Sequence, residues 1–366
     1  MTRAGRRAPS ISQIVALHED AQACALAAGL RYVSSEEPGI RRVRSGRGFS
    51  YRDATGAVVP VRERRRIEAL AIPPAWREVW ICTFADGHLL AIGDDERGRR
   101  QYLYNELWRA YRDRLNFYRL IDFGTRLPAI RDHVQVQLRR RTWDRDVIMA
   151  AMLRIIDARG LRVGNEIYAE ENDSYGLSTL TKRHVQVRGS TVDFCFPAKS
   201  GKQAVLSLSD AAVARVVARL LDQRGRRLFA VSGEPISSDE VNERLGQLTE
   251  ARVTAKDFRT WHGTRVAFGA LRRQLPPGDA PERNVLAAVD AAAEFLGNTR
   301  TVARAHYVHP DVLMAYLDGT FAELVAQRRP ARLPGLDADE RAQLSFLMTL
   351  LRRSGVAATP TQTSVP

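Results

Sequence analysis

Lysine is nearly missing from this 366-residue chain. Four of its 56 basic residues are lysine, at Lys182, Lys199, Lys202 and Lys256, and the other 52 are arginine. Arginine does not give up its proton inside a protein, whereas a lysine can be tuned to do so by burial and by neighbouring cations. Each remaining lysine is therefore a candidate proton donor, unless arginine-rich coding has simply left four behind; position in a motif must decide. Cysteine is scarce as well. Cys24, Cys82 and Cys195 are odd in number and widely spaced, which points away from a disulfide framework or a zinc site and towards a reducing compartment. No apolar run approaches the ~20 residues of a membrane span, and the opening MTRAGRRAPS lacks a signal-type hydrophobic segment, so a soluble, cytoplasmic protein is expected. There is no GxxxxGK[ST] phosphate loop. The HxxH formed by His306 and His309 lacks the glutamate and spacing of a metalloprotease helix, so neither a nucleotide nor a metal cofactor is expected.

What is present is positive charge. A formal net charge of +14 favours a polyanionic partner, either nucleic acid or an anionic membrane surface. The length allows two domains with real cores. Residues 1–38 read as a loosely held leader with apolar spacing for one or two short helices. From 39 to 107 the pattern is short and alternating: FSYR, the turn DATG and AVVPV, then VWICTF, the turn ADGH and LLAIG, each pair reading as a hairpin. Residues 108–345 are mainly helical. DVIMAAMLRIIDAR places Val147, Ile148, Ala151, Met152, Ile155 and Ile156 on one core-facing stripe. Within this region HVQVR, TVDFCF and QAVLSL describe a three-stranded antiparallel meander with Lys199 and Lys202 in its second turn. A final helix is expected near HPDVLMAYLDGTFAELVAQ, and residues 346–366 read as a tail. The expected fold class is α+β: a small β-rich N-terminal domain and a larger, mainly helical catalytic domain carrying a three-stranded hairpin sheet.

Four islands set a polar group beside apolar packing residues: GLRVGNEIY with Arg162, PAKSGK with Lys199, KDFRTWHGT with Arg259, and FLGNTRTVARAHYVHP with Asn298 and Tyr307. Taken singly, each has a plain structural reading as a carbonyl cap, a solvated turn or half-buried packing. In their order and spacing they resemble the type IB DNA topoisomerases of the bacterial and poxvirus-like branch, over about residues 39–324 and including GRRQYLY and YGLSTL. The resemblance implies the fold of the tyrosine recombinase and type IB topoisomerase kind. It also implies a monomer that clamps double-stranded DNA and relaxes supercoils of either sign through a transient 3′-phosphotyrosyl link, without ATP or metal.

Residue by residue, the resemblance makes Tyr307 the nucleophile, puts Arg162 and Arg259 on the non-bridging phosphate oxygens, and makes Lys199 the acid that protonates the departing 5′-oxygen. Lys256 and Lys202 would support that acid or touch phosphate. Asn298 stands where many relatives carry His; its amide still donates a hydrogen bond but cannot carry positive charge. Arg99, Arg100, Gln101, Tyr102 and Tyr104 fall in a stretch that touches duplex DNA, and Tyr168 where the family contacts the DNA backbone. Arg41, Arg42, Arg44 and Arg47, with Arg139, Arg140 and Arg141, would extend the positive surface, and association with the nucleoid would follow. His262 reads as structural, and Lys182 as neither acid nor contact. A tyrosine site-specific recombinase is the alternative enzyme, sharing the Arg, Lys, Arg, Tyr chemistry but normally carrying HxxR where this chain has Lys256-Asp257-Phe258-Arg259. A non-enzymatic basic DNA-binding protein would explain the charge but not the ordered constellation.

Overall fold

A computed structural model describes residues 10–166, 169, 173–327 and 333–353. The chain divides into two compact units, one running to Arg119 and taking in the chain from Leu351, the other Leu120–Leu350.

In the first unit two helices form within the expected leader, α1 (Ile11–Glu19) and α2 (Ala21–Ala27). Ser10 and Gln13 make a reciprocal capping box at the start of α1, and Asp20 caps α2. Ile14, Cys24 and Ala25 are buried, so this stretch is packed rather than loose. An antiparallel sheet of five strands follows in the order β2-β1-β3-β4-β5, with β1 Ile40–Ser45, β2 Gly48–Arg52, β3 Arg77–Ile81, β4 Leu89–Asp94 and β5 Arg100–Tyr104. The second expected hairpin forms as β3–β4. The first does not: FSYR pairs with β1, and AVVPV contributes only a bridge from Arg52 to Val58. Pro60 explains the difference, because it has no N–H for a ladder and instead opens helix α3 (Val61–Ala69). The strand alternation sends Val79 and Ile81 to a core shared with Ile67 of α3, and Trp80 and Cys82 to a core with Val33 and Leu89.

The second unit is mainly helical, with a three-stranded and a two-stranded sheet. The long helix α4 (Glu106–Arg139) leads to α5 (Arg145–Arg159), which Asp144 caps. Apart from Arg154, every residue of α5 from Val147 to Asp157 is buried. The expected apolar stripe is thus a helix enclosed on nearly all sides. The meander forms as expected: β6 (Val185–Arg188), β7 (Thr191–Pro197) and β8 (Gln203–Ser209), with Val192, Phe194 and Phe196 turned inward. Helices α6 (Ala211–Leu221), α7 (Ser238–Thr249), α8 (Ala255–Arg273), α9 (Pro281–Leu296) and α10 (Arg300–His306) follow, with the short strands β9 (Ala230–Val231) and β10 (Glu234–Pro235) after α6. The final expected helix is two, α11 (Pro310–Leu317) and α12 (Phe321–Ala326), interrupted where Gly319 takes a left-handed φ of 79°. A further helix, α13 (Ala338–Arg353), reaches into the stretch expected as tail.

Beneath the helices lies a buried ionic knot. Arg131 of α4 forks onto Asp157 of α5 at 2.8 and 3.0 Å and onto Glu340 of α13 at 2.7 and 2.8 Å. Trp261 donates to the same Glu340 at 3.3 Å, and His262 Nε2 lies 3.6 Å from Asp157. Burial works against the ionised form of Asp157, but Arg131 and His262 outweigh it and hold the carboxyl well below the usual range.

Candidate active site

Arg162 follows the end of α5 by three residues, and its loop is held by main-chain bonds to the YGLSTL segment. Leu177 N–H donates to Arg162 O at 2.9 Å and Ser178 N–H to Val163 O at 2.6 Å. The two strands of chain touch glycine to glycine: a Cβ on Gly176 would stand 2.4 Å from Gly164 Cα. The same segment reaches the hairpin through Tyr175 N–H, which donates to Pro197 O at 2.9 Å, two residues before Lys199. YGLSTL therefore splices the Arg162 loop to the Lys199 turn. Arg162 and Lys199 line one small cavity of about 220 Å³ with Asn165, Ser174 and Tyr175. Lys199 itself is exposed, at the start of a single 3₁₀ turn.

Arg259 comes from the first turns of α8 and is only 4 % exposed. Its two terminal nitrogens donate to Gly160 O, where α5 ends, and to Leu296 O at 3.0 Å, where α9 ends. One guanidinium thus locks the ends of two helices together. Asn298 lies two residues past α9, and its side-chain oxygen accepts from Arg162 Nη2. Arginine has no acceptor, so this bond fixes which way the amide faces. Asn298 Nδ2 and Arg259 Nε are buried donors without an acceptor among the described residues. A cleft of about 460 Å³ runs between the end of α5, the β7–β8 hairpin and the end of α9, and Arg162, Arg259, Asn298 and Lys202 line it. Arg159, which sequence reasoning missed, lines it too and donates to Ser207 O.

Tyr307 closes the constellation. The Arg259 guanidinium lies over its ring, 4.8 Å from the centroid. Burial alone would raise the phenol's pKa, but Arg259, Arg162 and Lys256 together pull it below the ordinary tyrosine value. Arg259 shows the matching strain of like charge. Burial first, then the Arg162 cation, lower its pKa to about 10, so it remains charged at neutral pH. Five residues drawn from 146 positions of sequence, Arg162 to Tyr307, belong to the second unit. Four of them are joined by direct contacts or shared charge, and Lys199 is joined to Arg162 through their common cavity.

The outlying candidates separate into classes. Lys256 is exposed one residue into α8, and Lys202 is exposed at the exit of the Lys199 turn. On β5 and the turn before it, Arg99 and Gln101 are tied to Asp95 at 2.9 Å each, and Arg100 pairs with Asp94 at 3.2 Å. Tyr102 is half exposed and stacks on Tyr104, centroids 5.9 Å apart. Tyr168 lies outside the described residues. Arg42 departs from expectation: its guanidinium donates to Ile72 O, Pro73 O and Trp76 O and sits over Phe49, so it holds the bend before β3 rather than adding free surface charge. Lys182 Nζ caps carbonyls at the end of α6, Leu221 O at 3.2 Å and Gln223 O, which fits a structural role. His262, 3 % exposed beside Asp157, belongs to the buried knot.

Comparison with known proteins places the chain in a family. Residues 105–328 match the family model for the eukaryotic DNA topoisomerase I catalytic core, and residues 48–95 match that for the bacterial DNA topoisomerase IB N-terminal domain. The chain belongs to the type IB DNA topoisomerase family, in its poxvirus-like and bacterial branch. It is 29 % identical over 297 residues to DNA topoisomerase 1B of Acanthamoeba polyphaga mimivirus, covering 76 % of this chain and 87 % of that one. DNA topoisomerase 1B of vaccinia virus (strain Copenhagen) is 22 % identical over 248 residues, covering 65 % and 76 %. DNA topoisomerase 1 of Drosophila melanogaster is 28 % identical over 172 residues, covering 43 % of this chain and 17 % of that one. The recombinase alternative is not favoured by these matches. No helix among the described residues is long and apolar enough to cross a membrane.

Proposed function

We propose that the chain relaxes positive and negative supercoils in double-stranded DNA by cutting and resealing one strand through Tyr307, as a monomer needing neither a nucleotide nor a metal ion. The single observation that carries this reading is the Tyr307 ring under the Arg259 guanidinium, within the field of Arg162. The phenolic oxygen attacks a backbone phosphorus, its proton leaves to solvent, and the bond to the 5′-oxygen breaks to leave a 3′-phosphotyrosyl link. One phosphodiester replaces another, so the energy needed for resealing is retained in the link. Negative charge grows on the non-bridging oxygens as phosphorus becomes five-coordinate, and fixed cations answer it. Arg162 and Arg259 supply two guanidiniums and Asn298 its uncommitted amide. Contact with Asn298 keeps Arg162 at the cleft until a phosphate offers a better acceptor. Lys199, on its exposed turn, protonates the departing 5′-oxygen, a task arginine performs poorly. Lys202 and Lys256 add phosphate contacts, as does Tyr168. In the first unit Arg99, Arg100, Gln101, Tyr102 and Tyr104 grip the duplex, the two acid-tied arginines exchanging Asp94 and Asp95 for phosphates.

Relaxation of a negatively and a positively supercoiled plasmid in EDTA, with no ATP, tests the proposal. The expected outcome is relaxation of both, with Tyr307→Phe inert yet still binding DNA. Lys199→Ala should cut ordinary DNA about 10²-fold or more slowly but regain most of its rate when a 5′-thiolate replaces the leaving alkoxide, because a thiolate needs little protonation. Relaxation that appears only on adding magnesium or ATP would rule the proposal out.

A further inference from the structure

Tyr307 occupies a three-residue break, 307–309, between the seven-residue helix α10 and the eight-residue helix α11. Helices this short have little rigidity of their own, yet the nucleophile must point in one direction. On one side Tyr307 N–H and Val308 N–H both donate to Ala303 O, at 3.0 and 3.1 Å. On the other side the break is spanned by Thr264 of α8, which is fully buried. Thr264 Oγ1 donates to Tyr307 O at 3.3 Å and accepts from His309 N–H at 3.1 Å. The preceding residue lies against the same main chain. A Cβ on Gly263 would stand 2.5 Å from Tyr307 O and 3.1 Å from Tyr307 Cβ. Arg259, one helical turn before Gly263 and on the same face, covers the ring.

We propose that Thr264 is a positioning residue for the nucleophile, its hydroxyl clamping the main chain on both sides of Tyr307 while Gly263 lets α8 come close enough for it to do so. The inference rests on Tyr307 being the nucleophile. A merely structural Thr264 would satisfy two buried main-chain groups and support the fold without governing the rate of the chemical step.

Single-turnover cleavage of a short duplex whose cut end diffuses away separates the two. Thr264→Val keeps the shape and removes the hydroxyl. It should cleave about 10–100-fold more slowly while DNA affinity stays within about two-fold, since misplacing a reacting group costs rate rather than binding. Religation should slow by the same factor, because both directions share one transition state, leaving the cleavage equilibrium unmoved. Thr264→Ser restores the hydroxyl and should recover to within about three-fold of the parent. Thr264→Val at the parent rate, Thr264→Ser no faster than Thr264→Val, or affinity falling in step with rate would each overturn the inference. Should Thr264→Val not fold, Gly263→Ala answers instead: slow cleavage with DNA binding kept supports the clamp, and an unchanged rate refutes it. Tyr307→Phe is measured alongside. A covalent adduct from that variant would sink the nucleophile reading itself, whereas an inert Tyr307→Phe with an unimpaired Thr264→Val removes only the role given to Thr264.

Discussion

At the scale of single residues, the candidate site crowds cations around one phenol. Burying Tyr307 should make it harder to ionise, and the opposite holds because Arg259, Arg162 and Lys256 more than compensate. More phenolate is therefore present at any given pH than for an exposed tyrosine. The difference in absorbance at 295 nm between the parent and Tyr307→Phe isolates this one titration. Its midpoint should lie below the usual ~10, and Arg259→Gln should move it upward as burial regains the upper hand. A parent midpoint at or above the usual value would contradict the account. The scarcity of lysine takes on meaning at the same scale. Lys182 caps carbonyls, and the other three lysines lie at or beside the constellation, on the hairpin turn and at the start of α8. Asn298 has its oxygen occupied by Arg162 and only its amide to offer.

At the scale of elements, the candidate groups are placed by the ends of helices. Arg259 ties the C-terminal ends of α5 and α9, and the knot of Arg131, Asp157 and Glu340 fixes α4, α5 and α13 beneath them. Removing Arg131 would take the guanidinium from two buried carboxylates, leaving Asp157 with His262 and Glu340 with the N–H donors of Trp261 and Asp337. Arg131→Met should therefore cost about 3–5 kcal/mol in urea unfolding at neutral pH. Both acids have folded pKa values depressed in spite of burial, Asp157 by His262 and Arg131 and Glu340 mainly by Arg131. Their contribution is thus present above the unfolded carboxylate range of about 4 and is lost as pH falls through the lower folded values. The penalty should shrink towards pH 3, and a loss under about 1 kcal/mol at pH 7 would mean the knot is not the anchor proposed. Most of these elements are visible in the sequence. The core helix, the meander and the Lys199 turn follow from periodicity and turn residues, because apolar spacing reports directly on a buried face. AVVPV misleads because alternation mimics a strand while Pro60 withholds the N–H that a ladder requires. The 310–326 stretch misleads because its apolar spacing continues across Gly319, where the backbone turns left-handed.

At the scale of the whole molecule, positive charge is spread along the chain while the candidate chemistry is gathered in one unit. All five candidate residues lie in Leu120–Leu350, while the GRRQYLY stretch belongs to the unit that precedes it. The constellation was legible as ordered motifs, since each candidate side chain sits in a short segment with its own signature. The residues that aim those side chains were not. Gly263, Thr264, Tyr175 and the Gly164–Gly176 contact act through main-chain bonds and close approach between segments distant in sequence, and local pattern carries no sign of which carbonyl a buried hydroxyl will meet. RTWHGT held the one available hint, a glycine a single turn after Arg259.

The central claim is that Tyr307 becomes covalently joined to the 3′ end of a cut strand. Its most direct test is to quench a reaction on duplex DNA labelled on either side of the cut with denaturant, in EDTA and without ATP, and to map the protein-linked nucleotide by peptide mass. The account predicts a single adduct at Tyr307 carrying the label 5′ to the break, with a free 5′-hydroxyl on the other fragment. An adduct on a different residue, attachment to a 5′ end, or cut DNA with no protein attached would contradict it.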